Sequence, residues 1–225
     1  MRAAILVLVL SVAAVAFVGC GQGTNNDGPM NHNSMAMNSN SMTNMNGMNH
    51  NSMPMNSNTS MDHSQMKSAP NAASAPFDLQ FIDTMTAHHQ EAVSMARLVD
   101  GRTENADVKK FAAQIISDQE KEIGQMKEWR DKWFAGKPSA MNMEMPGMAD
   151  SMKMDMAKLS NSKDKVFDLA FIEMMTPHHA GAVMMAKDAL TRAEKREIKT
   201  MANQIIKAQE AEIQMMAGWK TKWSK

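Results

Sequence analysis

Two adjacent histidines occur twice, ninety residues apart, as His88-His89 and His178-His179. Each pair follows a methionine by three and four residues, Met85 and Met175, and Met95 and Met185 lie seven residues beyond the first histidine. On a helix the paired histidines stand about 100° apart, at the two sides of one face, with the preceding methionine between them one turn away. A later stretch carries Gln119, Glu120, Glu122 and Met126, and its counterpart carries Gln209, Glu210, Glu212 and Met216. Two chemistries fit these donors. One is a soft-metal site built from His88, His89, Met85, Met95 and Met126, and again from His178, His179, Met175, Met185 and Met216. The other is a His–Gln/Glu hydrogen-bond network that specifies how helices pair, with the methionines serving as packing.

Methionine is also abundant where packing does not account for it. Residues 24–76 are Asn, Ser, Met, Gly and Pro without Leu, Ile or Val, yet hold ten methionines from Met30 to Met66, interleaved with His32, His50 and His63. Such a composition cannot offset the entropy of ordering a backbone and predicts a disordered tail. A second cluster, Met141, Met143, Met145, Met148, Met152, Met154 and Met156, lies between the two histidine pairs. A thioether is a soft donor without a proton to lose, suited to Cu(I) and to Ag(I) as its mimic. Tail and cluster therefore read as mobile metal ligands, with capacity for on the order of four to six ions at three or four soft donors each.

The chain begins with Arg2, an apolar run from Ala3 to Val18, and then Gly19-Cys20. This has the form of an export signal, and Ala16-Phe17-Val18-Gly19-Cys20 resembles a lipobox. Cys20 is the predicted lipidation site, placing the protein in the periplasm or at the cell surface on a lipid anchor. It is the only cysteine, so no intramolecular disulfide forms and stability rests on a core.

The histidine pairs sit inside an internal repeat. Residues 77–133 align without a gap on 167–223, with 28 of 57 positions identical. Within each copy, apolar residues recur at helical spacing: Phe81, Met85, His88, Ala92, Met95, Ala96 and Val99 share one face, and Val108, Ala112, Ile115, Gln119, Ile123, Met126 and Trp133 share another. Gly101 marks a stop between the two helices, Thr103 is a candidate cap, and Thr191-Arg192-Ala193-Glu194 has capping-box spacing. Pro177 replaces Ala87 and predicts a kink or restart. The expected architecture is all-α: a ferritin-like four-helix bundle made of two helical hairpins. Its segments are a signal peptide at 1–20, the tail at 21–76, repeat one at 77–134, a Met-rich linker at 135–164 and repeat two at 165–225.

The motif Phe-x-x-x-Phe-Ile-Asp/Glu-x-Met-x-x-His-His-x-x-Ala-Val-x-Met-Ala, followed by Gln-x-x-Glu-Ile-x-x-Met-x-x-Trp at 119–129 and 209–219, resembles the DUF305 family of exported bacterial ferritin-like proteins. With the Met-rich segments, the resemblance implies copper binding in copper resistance or homeostasis, with Cu(I) and also Cu(II) as the bound states. Its partners would be the metal ions and a copper exporter or periplasmic carrier. The competing class is a metal-dependent oxidase, cuprous or di-iron. A di-iron bundle needs Glu-x-x-His on two helices, and that motif is absent here. Equal numbers of acidic and basic residues, 24 of each, argue against a nucleic-acid partner.

Overall fold

The computed structural model describes residues 66–224. The export signal, Cys20 and all of the tail methionines except Met66 lie outside the described residues. The described elements are helices: α1 (Phe77–Arg97), α2 (Ala106–Phe134), α3 (Met148–Ser151), α4 (Met156–Ser160), α5 (Asp164–Arg192) and α6 (Arg196–Trp223), with a 3-10 turn at Ala72–Ser74 before α1. Helices α1 and α2 form one hairpin, α5 and α6 the other, and the hairpins join through α1 against α5. This is the expected four-helix bundle. At 29 residues, α2 and α5 each span about 43 Å.

The two hairpins differ at their turns for identifiable reasons. In repeat one, α1 ends at Arg97 and Gly101 takes φ +68° in the turn. Its counterpart is Thr191, and there α5 runs on to Arg192. Asn105, rather than Thr103, caps α2, its side chain accepting from the Asp107 N–H, while Thr103 Oγ1 accepts from the Asn105 N–H. The capping box expected at Thr191 does not form. Thr191 instead donates to the Asp188 carbonyl inside α5. The start of α6 is held from the other repeat: Asp78 Oδ1 accepts from the Glu194 N–H at 2.9 Å and Oδ2 from the Lys195 N–H at 3.0 Å. The repeat-related Asp168 Oδ2 accepts from the Asn105 side chain at 2.8 Å. Each hairpin thus ties down the turn of the other.

Pro177 does not restart its helix; α5 is continuous through it. The hydroxyl of the preceding Thr176 donates to the Ile172 carbonyl at 2.6 Å, adding a side-chain bond in the turn where the proline gives up a backbone donor.

The linker differs from expectation. Met145, Met148, Met152 and Leu159 are buried, so this segment packs as part of the core instead of hanging free. Gly147, at φ +85°, passes so close to α5 that a Cβ on it would meet Gly181 Cα at 2.8 Å. A Cβ on Gly181 would meet the Ser151 side chain at 2.4 Å. The packed chain also reaches back beyond Phe77, since the Ala69 N–H donates to the Met141 carbonyl and Gln80 donates to the Ala75 carbonyl.

Candidate metal centre

The middle of the bundle is a layer of four histidines. His88, His89, His178 and His179 all have 0% exposure, the first pair from α1 and the second from α5. They lie there because each helix is otherwise apolar on this face, and the pseudo-twofold relation of the repeats brings the two pairs together. The His88 and His178 rings are 3.8 Å apart between centroids, tilted by 33°. His89 Nε2 hydrogen-bonds Glu122 Oε2 of α2 at 2.7 Å. His179 Nε2 lies 2.8 Å from Glu212 Oε2 of α6, close enough for an ion pair, but its ring N–H does not point along that line. His88 Nε2 meets Ser151 Oγ of the linker at 3.0 Å.

Most of the remaining ring nitrogens have no partner. Nδ1 of all four histidines, and Nε2 of His178 and His179, are buried without a hydrogen bond. A buried unsatisfied polar group costs about 1–3 kcal/mol, and so many in one layer is far outside what folded proteins carry. Burial holds the His88 and His178 imidazoles well below the usual histidine range, and the neighbouring histidines, charge on charge, push the same way. Both are therefore neutral at pH 7, the form that binds a metal through a ring lone pair.

Methionines lie on both sides of this layer, and the structure redistributes the predicted sets. The sequence suggested Met85 with Met95, and Met175 with Met185. The antiparallel pairing of α1 and α5 instead places Met85 with Met185 in one cluster, together with Met126, Met145, Met148 and Met152. Met95 and Met175 join Met216 in the other cluster. Met143 packs at the edge of the first, and Met141 is half-buried. Met126 and Met216 keep their repeat relation: the Thr86 hydroxyl donates to the Met126 sulfur at 3.8 Å, and Thr176 Oγ1, whose hydrogen goes to Ile172, lies 3.6 Å from the Met216 sulfur.

No group of three His, Cys, Asp or Glu side chains among the described residues is placed to hold a metal ion. A site here must therefore recruit thioethers. A larger cavity of about 300 Å³, lined by Phe77, Trp133, Phe134 and Lys195 among others, contains no sulfur donor.

The Domain of unknown function (DUF305) model matches residues 22–130 and 78–220. The chain belongs to the DUF305 family. Several solved structures share its fold. CopM in the Cu(I)-bound form is 37% identical, covering 66% of this chain and 98% of CopM, with a TM-score of 0.56. CopM in the Cu(II)-bound form is 41% identical over 65% of this chain and 97% of CopM, with a TM-score of 0.57. A DUF305 protein from Streptomyces coelicolor is 32% identical over 69% of this chain and 95% of its own, with a TM-score of 0.59. A search of curated proteins gave no match.

Two features of this DUF305 chain escaped the sequence reading. Ser151 was not paired with His88, because the linker was read as mobile. Gly181 was passed over, although a glycine stands there where the first repeat has Glu91, and that replacement is the signal that something packs there.

Proposed function

We propose that this protein binds Cu(I), and Ag(I) in its place, outside the cytoplasm, and sequesters the ion or hands it on in copper homeostasis. The observation that carries this reading is the buried histidine layer with unpartnered Nδ1 atoms between two methionine clusters. Imidazole nitrogen with thioether sulfur is a donor set for a soft cation, and the family's solved CopM structures include Cu(I)-, Cu(II)- and Ag-bound forms. In this reading His88, His89, His178 and His179 supply nitrogen. Met85, Met185, Met126, Met145, Met148 and Met152 supply sulfur on one side, with Met95, Met175 and Met216 on the other. The metal is cargo, and no reaction step is implied. Glu122 would orient His89 through Nε2, leaving its Nδ1 for the ion, while Glu212 sits beside His179 without that hydrogen bond.

The richer cluster is the one the linker completes, so we place the tighter site there. The N-terminal tail would add weaker, faster-exchanging sites, because mobile ligands must be ordered on binding. Export and the lipid on Cys20 belong to the same reading. If the lipid anchors the chain, a Cys20→Ala variant leaves the membrane fraction or accumulates unprocessed.

Competition for Cu(I) against a chromophoric chelator tests the core assignment. Replacing all four histidines by Gln is expected to lower affinity while far-ultraviolet circular dichroism stays helical. Unchanged affinity would assign the histidines to bundle specificity.

A further inference from the structure

A second polar feature lies between α2 and α6. It is a cavity of about 20 Å³ lined by Ile115, Asp118, Gln119, Glu122 and their counterparts Ile205, Ala208, Gln209 and Glu212. Gln119 and Gln209 are 4% and 3% exposed, and the amide Oε1 of each is buried without a partner. Glu122 and Glu212 use one carboxylate oxygen each toward His89 and His179. Their other oxygens remain, related by the same pseudo-twofold. Asp118 is exposed at the rim on one side only, since its counterpart is Ala208.

The cavity has room for about one water-sized particle. One water can donate to both amide oxygens, but it brings no positive charge to the two carboxylates that line the same space, 22% and 14% exposed. A divalent cation would satisfy all four and neutralise the two carboxylates. No side chain lining the space carries sulfur or an imidazole, so the donor set is oxygen.

We propose that this cavity is a site for a hard divalent cation, held by the Glu122 and Glu212 carboxylates and the Gln119 and Gln209 amide oxygens. It is separate from the soft-metal clusters in donor chemistry and does not depend on the copper reading. Oxygen-only ligation selects ions of the magnesium, calcium and manganese class over Cu(I). Helices α2 and α6 belong to different hairpins, so an ion here would fasten the hairpins together.

Titrating the mature full-length chain with Mn(II), and following the electron paramagnetic resonance signal of the free ion, tests this directly. The expected result is uptake that is missing from the Glu122→Gln/Glu212→Gln variant, with addition of Mn(II) raising the melting temperature of the wild type alone. Uptake that is equal in both would overturn the proposal and leave the cavity to water. If the double glutamate variant is not helical by circular dichroism, Gln119→Leu/Gln209→Leu decides in its place, since it keeps both Glu–His pairs. Mn(II) uptake lost in that variant supports the site, and uptake retained in it refutes the site.

Discussion

The His88 and His178 rings meet across the pseudo-twofold, 3.8 Å between centroids and tilted by 33°, each fully buried. Two imidazoles in this position cannot both carry a proton cheaply. Burial first, then the neighbouring histidines, holds both below the usual range. In the unfolded chain their pKa returns to about 6.5, so as pH falls below that value the unfolded state takes up protons first. The stability these groups provide is present above pH 6.5 and is lost on acidification toward their depressed folded values. The metal-free protein is therefore expected to melt at lower temperature at pH 5.5 than at pH 7.5, and His88→Gln/His178→Gln should flatten the slope.

Glu91 works in the opposite direction. Burial raises its pKa from 4.5 to about 7. The folded state keeps this proton between those values, so the associated stability is present below pH 4.5 and is lost as pH rises through 7. Glu91→Gln is expected to raise the melting temperature above pH 7 and leave it little changed near pH 5. A variant that is destabilised at both would show that the carboxylate is needed in its charged form.

Gly181 is where the linker meets α5. A methyl group there lies 2.4 Å from Ser151 Cβ and Oγ and 2.7 Å from the Gly147 carbonyl, so something must move. Overpacking of this kind costs about 1–3 kcal/mol. Gly181→Ala should lower stability in urea by that order and, by lifting Ser151 from His88 and the linker methionines from their cluster, weaken Cu(I) binding. Glu91→Ala, at the repeat-related position, should leave the linker seated.

Asp78 accepts two backbone N–H groups at the start of α6, while Asp168 accepts one side-chain amide. Removing a cap costs about 0.5–2 kcal/mol. Asp78→Ala is expected to cost more than Asp168→Ala by denaturant midpoint. Equal effects would contradict the cross-repeat cap.

The ninety-residue repeat made the bundle legible, because apolar spacing at 3.6 residues survives in both copies and pairs of amphipathic helices have few ways to bury their faces. The inward position of each histidine pair was legible for the same reason, but not that the two pairs meet in one layer. What was not legible follows from long-range geometry. Nothing local to Met85 indicates that its neighbour is Met185 and not Met95; that depends on α1 and α5 running antiparallel. The linker looked mobile from its Pro, Gly and Met content, and only the absence of a side chain at Gly181 hints at the groove that receives it. Asp78 lies 116 residues from the Glu194 N–H it accepts, beyond any capping motif.

The role of the tail rests on composition alone. Because Ser68 and Ala69 bond the linker and Met66 packs on the core, a deletion that tests it should span 21–65. That variant is expected to keep its helical spectrum and melting temperature while losing a large share of bound Cu(I). Full retention of metal would remove the tail from the account.

The most direct test of the central claim is copper K-edge X-ray absorption on the Cu(I)-loaded 21–65 deletion protein, where only core and linker ligands remain. The account predicts a mixed shell of nitrogen and sulfur, with the nitrogen contribution lost when His88, His89, His178 and His179 are replaced by Gln. A sulfur-only shell, unchanged by those replacements, would contradict it and leave the histidine layer as a device for pairing helices.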